Sequence, residues 1–338
     1  MIFRQLYDNV SSTYTYLISS GHGREAIIID PVIENVNRYI KLLDELDLKL
    51  VKVIDTHVHA DHISGIAELR EKFNCITIMG EHTKADIASM KISDGEEVSI
   101  EGIKLRAIYT PGHTDDSYSY IMNDRVFTGD TLLIRGTGRT DFQNGNAKDS
   151  YNSIFKKLLT LPEETLVYPA HDYKGDMVST IGEEKKFNPR LQVKSIDEYV
   201  EIMNNLNLPD PKMMDVAVPS NLKLGIDFNR QKVNNGIEPE EFNRIKKDPN
   251  AILIDLREQN EIDKEGMIKN SEIVPFPSMY EYLDKNKNKL KDKRILFYCA
   301  HGHRSTLAVQ ISKSYNFTNC CHLIGGLENW KKEGLDLN

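Results

Sequence analysis

Three histidines and one aspartate are packed into a six-residue segment of the chain, His57-Val58-His59-Ala60-Asp61-His62. The segment directly follows the apolar run LVKVID, so we expect it to form the loop after a strand. In such a loop the side chains of alternating residues can point into one space. Imidazole nitrogens together with a carboxylate oxygen suit zinc, iron or manganese, and the segment therefore predicts a metal site.

Three further candidate ligands lie at the ends of later apolar runs, namely His113, Asp130 and His171. Loops at strand ends converge in layered α/β folds, so these residues can meet the first cluster at one edge. A single histidine is more often a core or solvated residue than a ligand, but this whole set favours a site. His22 and His82 belong to no motif and are expected to be ordinary histidines.

A second reactive position is Cys299, in the segment Cys299-Ala300-His301-Gly302-His303-Arg304 between the apolar run RILFY and a helical run. Consecutive backbone N–H groups in such a loop, with the positive end of the following helix, form an anion cradle that stabilises a thiolate nucleophile. We expect Cys75, Cys320 and Cys321 to be buried core residues instead. The loop histidines can add positive charge or simply be solvated.

The elements that would position these residues divide the chain in two. Over residues 1–228, short strands, alternating helices and strands, and then a hairpin-rich stretch predict two sheets with outer helices. After the polar stretch FNRQKVNNG, the runs AILIDL, EIVPF, RILFYC and CCHLI are typical of a parallel sheet covered on both faces. We therefore predict a small second α/β domain over residues 236–338.

Composition limits the class of protein. The chain has 338 residues, of which 40% are hydrophobic and 28% charged, which suits two globular domains. The net charge of -8 argues against a nucleic-acid partner. The cysteines show no C-x-x-C spacing, and we find neither a signal peptide pattern nor a membrane-length apolar run. We expect a cytoplasmic protein that binds no membrane; a homo-oligomer stays open.

The ligand motifs over residues 1–228 resemble the metallo-β-lactamase superfamily, which implies an αββα sandwich. Within it, the stretch from Thr128 to Gln143 and the segment Asn188-Pro189-Arg190-Leu191 resemble the persulfide dioxygenases. The glyoxalase II hydrolases share the ligand motifs but differ after the aspartate. The ligand residues alone therefore do not separate these two groups.

The resemblance implies one Fe(II) per chain, held by His57, His113 and Asp130. Two imidazoles and one carboxylate occupy one face of an octahedron and leave positions for a persulfide and O2. The groups left around these ligands would be His59, Asp61, His62 and His171. A zinc hydrolase would instead use all seven groups to hold two zinc ions about 3.5 to 4 Å apart.

The same resemblance places Arg139, Tyr173 and Arg190 near the carrier thiol. Arginine suits a carrier that presents carboxylates or phosphates, although surface or fold-holding roles are equally compatible with these residues. Glutathione, coenzyme A and other low-molecular-weight thiols all present such groups, so the sequence does not specify the carrier.

The C-x4-R spacing from Cys299 to Arg304 resembles a single-domain rhodanese, whereas Cys-dependent phosphatases have C-x5-R. The segments Asp255–Glu258 and Ile324–Trp330 agree with the rhodanese family. The resemblance implies that the Cys299 thiolate accepts a sulfane sulfur and passes it to a thiol or to sulfite, while Arg304 orients the loop or the donor.

We therefore expect a persulfide dioxygenase fused to a rhodanese, acting in sulfide detoxification. Iron would support oxidation of a low-molecular-weight thiol persulfide by O2 to sulfite and free thiol, and a Cys299 persulfide would carry sulfur to or from sulfite or thiosulfate. The main alternative is a zinc-dependent glyoxalase II-type thioester hydrolase with a sulfurtransferase appendage. A non-catalytic sulfur sensor is a further alternative.

Overall fold

The computed structural model describes residues 1–209, 211, 213–226 and 228–337. The chain separates into two compact units, one formed by residues 1–73 and 77–224, the other by residues 74–76 and the chain from Gly225 onward. The polar stretch FNRQKVNNG, whose sequence predicts only a connection, contains a short helix that belongs to the second unit. A polar sequence forms a helix here because its residue Gln231 is buried, with 1% of its surface exposed.

The first unit contains fourteen strands and six helices within the described residues. The strands are β1 (Ile2–Asp8), β2 (Thr13–Ser19), β3 (Glu25–Ile29), β4 (Lys49–Ile54), β5 (Ile76–Gly80), β6 (Met90–Ile92), β7 (Glu97–Ile100), β8 (Ile103–Tyr109), β9 (Tyr118–Met122), β10 (Arg125–Gly129), β11 (Leu132–Leu133), β12 (Gly136–Thr137), β13 (Leu166–Pro169) and β14 (Ser179–Thr180). The helices are α1 (Val36–Glu45), α2 (Ile66–Phe73), α3 (Ala147–Lys156), α4 (Ile181–Phe187), α5 (Ile196–Asn204) and α6 (Met214–Asn221).

Two six-stranded sheets form the centre of this unit, in the orders β1-β2-β3-β4-β5-β6 and β14-β13-β10-β9-β8-β7. Phe3 and Tyr16 of the first sheet pack against Phe127 and Tyr168 of the second, with ring centroids 4.9 to 6.2 Å apart. Helix α1 lies on the first sheet, and α3 and α5 share a buried core with β10 and β13 of the second. The result is the predicted αββα sandwich.

Local sequence explains these elements. In β8, apolar residues on one face are buried while Lys104 and Arg106 on the other are exposed, as expected for a strand with one solvated face. Helix α5 begins after Ser195, whose Oγ accepts a hydrogen bond from the backbone N–H of Glu198. The Glu198 carboxylate accepts from Lys194 N–H instead of Ser195 N–H, so only half of the capping box forms.

The second unit contains a five-stranded sheet in the order β15-β19-β18-β16-β17, in which every neighbouring pair is parallel. Its strands are β15 (Gly236–Ile237), β16 (Ala251–Asp255), β17 (Glu272–Ile273), β18 (Arg294–Tyr298) and β19 (Cys320–Leu323). Its helices are α7 (Phe228–Val233), α8 (Pro239–Ile245), α9 (Gln259–Glu265), α10 (Met279–Lys285), α11 (Lys287–Leu290), α12 (His303–Ser314) and α13 (Gly326–Lys332). The central strand β18 leads directly into Cys299.

None of the helices in the described part of the chain combines the length and the apolar character needed to cross a bilayer.

Candidate metal centre and cysteine site

The candidate metal ligands follow the carboxyl ends of four strands. His57 lies three residues after β4, His113 follows β8, Asp130 comes directly after β10, and His171 comes after β13. The structure brings His57, His113 and Asp130 together. One donor atom of each lies within 4.8 Å of the others, and all three residues are buried.

Distances within this triad suit a single small cavity for a cation. Oδ2 of Asp130 lies 3.5 Å from Nε2 of His113 and 4.0 Å from Nε2 of His57. Two imidazole nitrogens and one carboxylate oxygen are thus close enough together to bind one cation. This donor set fits a first-row transition metal with open coordination positions.

The remaining polar atom of each triad residue is fixed by the protein. His113 Nδ1 donates to the carbonyl of Arg139 at 2.8 Å, and His57 Nδ1 lies 2.9 Å from Thr56 Oγ1. Asp130 Oδ1 accepts from His171 Nδ1 at 2.7 Å. These hydrogen-bond partners therefore fix the orientation of each ligand and leave one of its atoms for the metal, as the partners of metal ligands usually do.

The other four groups of the ligand motifs are held mainly by one another. Asp61 Oδ2 lies 2.8 Å from both His62 Nδ1 and His171 Nε2. His59 Nε2 lies 3.1 Å from Asp30 Oδ1. Donor atoms of His59, Asp61 and His62 also lie within 4.8 Å of one another, and among the described residues Nδ1 of His59 and Nε2 of His62 are buried without a hydrogen-bond partner.

The surroundings of the triad shift the pKa values of Asp130 and His57. Burial raises the pKa of Asp130, but the nearby His171 and His113 outweigh this and hold that pKa below its usual range. Burial and the neighbouring His59 hold the pKa of His57 well below its usual range. An ionised carboxylate and a neutral imidazole are the forms that bind metal. Burial lowers the pKa of His59, but Asp30 raises it more, to about 9.

Asp30 and Thr56 were missed by the sequence analysis. Asp30, at the end of β3 with φ of 51°, accepts from the backbone N–H of Thr56 at 2.7 Å and from its hydroxyl at 3.0 Å. These bonds fix the start of the loop that carries His57. The signals were an aspartate ending the apolar run AIIID and a threonine preceding the first histidine, and neither is distinctive without the fold.

Arg139, one of the predicted substrate-binding residues, is engaged within the protein. Its guanidinium bonds to Asp141 at 2.6 and 2.7 Å, lies 4.8 Å above the ring of Phe142, and donates to the carbonyl of Pro209. Its own carbonyl accepts from His113. In this structure, Arg139 therefore contacts the centre through its main chain.

The other two predicted residues differ from each other. Arg190 is largely buried and donates to the carbonyl of Thr137, in the neighbouring strand β12. Tyr173 is 70% exposed, and its ring is parallel to that of His171 with centroids 6.1 Å apart. Tyr173 is thus the one of the three whose side chain combines exposure with proximity to the centre.

The cysteine site lies in the second unit. Cys299 is fully buried, and its Sγ accepts from the backbone N–H of Gly302 at 3.2 Å. Gly302 has φ of 89°, which favours glycine, and α12 begins at the next residue. The loop therefore directs a backbone N–H at the sulfur beside a helix N-terminus.

Arg304, in the first turn of α12 directly after this loop, forms a buried bidentate ion pair. Its two terminal nitrogens lie 2.7 and 2.6 Å from the carboxylate oxygens of Glu261, in the first turn of α9. This geometry favours a role in holding the loop. His301 reaches outward, with Nδ1 2.9 Å from Glu328, and lies on the wall of a cavity of about 360 Å³ together with Ala300.

The remaining histidines and cysteines have less specific surroundings. His22 is exposed, and His82 stacks on Tyr109 with ring centroids 4.0 Å apart. Cys75, Cys320 and Cys321 are buried. Burial raises the pKa of Cys320 to about 11, which fits a core thiol rather than a nucleophile.

Comparison with known proteins identifies a family for each of the two parts of the chain. Residues 8–171 match the metallo-beta-lactamase superfamily, and residues 238–333 match the rhodanese-like domain. The human protein named persulfide dioxygenase ETHE1, mitochondrial, is 45% identical over 229 residues, which cover 67% of this chain and 89% of the relative. A protein of Schizosaccharomyces pombe named as a probable hydroxyacylglutathione hydrolase is 31% identical over 245 residues, covering 62% of this chain and 93% of the relative.

Among solved structures, the crystal structure of ETHE1 from Myxococcus xanthus is 54% identical, with a TM-score of 0.64, and covers 66% of this chain and 98% of that chain. Both predicted resemblances are therefore confirmed, and the hydrolase alternative is less well supported because identity is higher to the ETHE1 proteins. The chain belongs to the metallo-β-lactamase superfamily, within it to the family of the ETHE1 persulfide dioxygenases, and it carries a rhodanese-like domain in its C-terminal part.

Proposed function

We propose that the first domain oxidises a low-molecular-weight thiol persulfide with O2, using one Fe(II) held by His57, His113 and Asp130. The observation that carries this proposal is the convergence of three donor atoms within 4.8 Å, each on a residue whose other polar atom is already hydrogen-bonded. The overall reaction is R-S-SH plus O2 plus H2O, giving R-SH and H2SO3. The terminal sulfur is oxidised, O2 is reduced, and the S–S bond breaks.

The contacts of His171 and Asp61 support one ion rather than two, although Nδ1 of His59 and Nε2 of His62 are buried without a hydrogen-bond partner among the described residues. His171 lies between Asp130 and Asp61, with both ring nitrogens bonded to carboxylate oxygens, and His59 is bonded to Asp30. Binding a second ion through His171 or Asp61 would require the contacts between them to break. When bound, Fe(II) would supply a site where a sulfur ligand and O2 react together.

This chain's residues then orient the reactants. The carbonyl of Arg139 and the hydroxyl of Thr56 fix the two imidazoles, and His171 leaves Asp130 Oδ2 for the metal. Tyr173 presents an exposed ring beside this centre and is our candidate for contact with the carrier of the persulfide. Arg139 and Arg190 would bind the carrier only by exchanging the internal partners described above.

We propose that the second domain transfers sulfane sulfur through Cys299. In the forward step the Cys299 thiolate attacks the outer sulfur of R-S-SH, the S–S bond of the donor breaks, R-S⁻ leaves, and Cys299 retains a persulfide. Sulfite can then attack that outer sulfur to give thiosulfate and restore the thiolate. The N–H of Gly302 stabilises negative charge on Sγ, and Arg304 with Glu261 keeps the loop in place.

The decisive experiment combines metal analysis with O2 uptake. We expect the purified protein to contain about one iron per chain and to consume O2 when glutathione persulfide is added. His113→Ala should abolish O2 uptake and leave sulfur transfer intact, whereas Cys299→Ser should abolish transfer alone. Two zinc ions in the active protein, or hydrolysis of S-lactoylglutathione at full rate under nitrogen, would contradict the dioxygenase proposal.

A further inference from the structure

A buried glutamine in α7 contacts both loops that surround Cys299. The first loop comprises residues 299–303, from the cysteine to the first residue of α12; the second comprises residues 324–328 and includes the first turn of α13. Gln231 Nε2 donates to the carbonyl of His301 in the first loop at 3.4 Å. Its Oε1 accepts from the backbone N–H of Gly325 in the second loop at 2.8 Å.

The contact with the first loop is close as well as polar. A Cβ atom placed on Gly302 would lie only 2.2 Å from Gln231 Oε1, so the carboxamide packs directly on the main chain of Gly302. Gly302 is the residue whose N–H donates to Cys299 Sγ. A shift of the carboxamide therefore changes the position of that donor.

The second loop is tied to the cysteine in turn. The N–H of Leu327 donates to the carbonyl of Cys299 at 2.8 Å, and the N–H of Glu328 donates to the carbonyl of Ala300 at 3.1 Å. Gln231 is thus part of a hydrogen-bond network that links the two loops to each other. Its Nε2 also donates to the carbonyl of Ile226 at 2.9 Å, which fixes the orientation of the carboxamide.

The main chain of Gln231 reaches Cys299 by a second route. Its carbonyl accepts from His322 Nε2 at 3.1 Å, which leaves Nδ1 of that ring facing Ser305 Oγ at 3.3 Å. Ser305 Oγ lies 3.7 Å from Cys299 Sγ. Side chain and main chain of one residue therefore support two of the groups nearest the sulfur.

We infer that Gln231 is a positioning residue for sulfur transfer, acting through the two loops on the geometry of the groups around Cys299. It lies before residue 238, where the match to the rhodanese-like domain begins, and in a stretch whose polar sequence predicted only a connection. The functional unit of sulfur transfer therefore includes α7. This inference rests on the proposed sulfur transfer at Cys299.

The test compares Gln231→Met with Asn234→Met in the full chain. Methionine keeps the length of glutamine but loses its hydrogen bonds, and Asn234 is a half-buried amide just beyond α7 that bonds to Arg230 and Gln310 instead of the loops. Transfer is measured under nitrogen, which excludes O2 chemistry, with glutathione persulfide as donor and sulfite as acceptor. Fluorescence of the single tryptophan, Trp330 in the core of this unit, reports whether each variant is folded.

We expect Gln231→Met to lower kcat at least about tenfold with the KM for sulfite within about twofold, at a temperature where Trp330 fluorescence shows a folded domain. Asn234→Met should match the wild type. Wild-type kinetics in Gln231→Met would overturn the inference while leaving sulfur transfer at Cys299 established. A loss of kcat that only parallels unfolding would also overturn it. No transfer by the wild type would overturn both proposals.

Discussion

At the scale of single residues, the site distinguishes ligands from their supporting partners. We expect His171→Ala to weaken iron binding by about 10- to 100-fold without abolishing it, because His171 orients Asp130 through a 2.7 Å hydrogen bond. His113→Ala should remove binding almost completely, because it deletes a ligand. Competition with a chelator measures both effects, and the exposed His22→Ala serves as the control. A fall from two bound ions to one in His171→Ala would instead indicate a two-metal centre.

A second residue-scale prediction concerns Arg304. Because lysine keeps the charge but cannot form the buried bidentate contact with Glu261, Arg304→Lys should lower the free energy of unfolding of the second domain by about 1.5 kcal/mol. Sulfur transfer should fall with it. Denaturant titration followed by Trp330 fluorescence measures the change. An Arg304→Lys protein of unchanged stability that has lost transfer would show that Arg304 binds the donor rather than holding the loop.

The residues that sequence could identify are those that belong to dense motifs. His57, His113 and Asp130 stand in recognisable segments, and Cys299 stands in a C-x4-R loop. Asp30 and Gln231 could not be found in this way, since a lone buried polar residue carries no periodicity. Its role depends on which loops the tertiary fold brings within hydrogen-bond distance.

At the scale of elements, apolar periodicity predicted the strands well but not the short helix α7. The runs AILIDL, RILFYC and CCHLI became β16, β18 and β19, because continuous apolar runs of this length fit a sheet covered on both faces. Helix α7 has only six residues and a polar sequence. It is stable because Gln231 is buried against the loops, a contact that hydrophobic patterning does not encode.

Strand β19 makes the second domain sensitive to acid. Burial lowers the pKa of His322 from 6.5 to about 4, so between these values the unfolded chain binds a proton that the folded domain does not. The free energy of unfolding should therefore fall as pH falls from 6.5 towards 4, by about 3 kcal/mol in total. Denaturant unfolding monitored by Trp330 fluorescence at several pH values measures this slope. His322→Gln should flatten it, and an unchanged slope in that variant would contradict the assignment.

At the scale of the whole molecule, the two proposed activities share a product. The first releases sulfite, and a Cys299 persulfide can pass its outer sulfur to sulfite to form thiosulfate. One persulfide is then oxidised while a second only transfers sulfur. The O2 consumed per persulfide should therefore fall from about one in Cys299→Ser towards about one half in the wild type, with thiosulfate replacing sulfite as the product.

An oxygen electrode together with separation of sulfite from thiosulfate measures this ratio. Mixing equal amounts of His113→Ala and Cys299→Ser supplies both activities on different molecules. If sulfite diffuses freely between sites, the mixture should approach the wild-type ratio as protein concentration rises. A higher concentration of Cys299 persulfide then captures the released sulfite faster. A wild-type ratio that stays near about one with sulfite as sole product would show that the two activities do not operate in sequence, and that the second domain takes its sulfur and its acceptor from elsewhere.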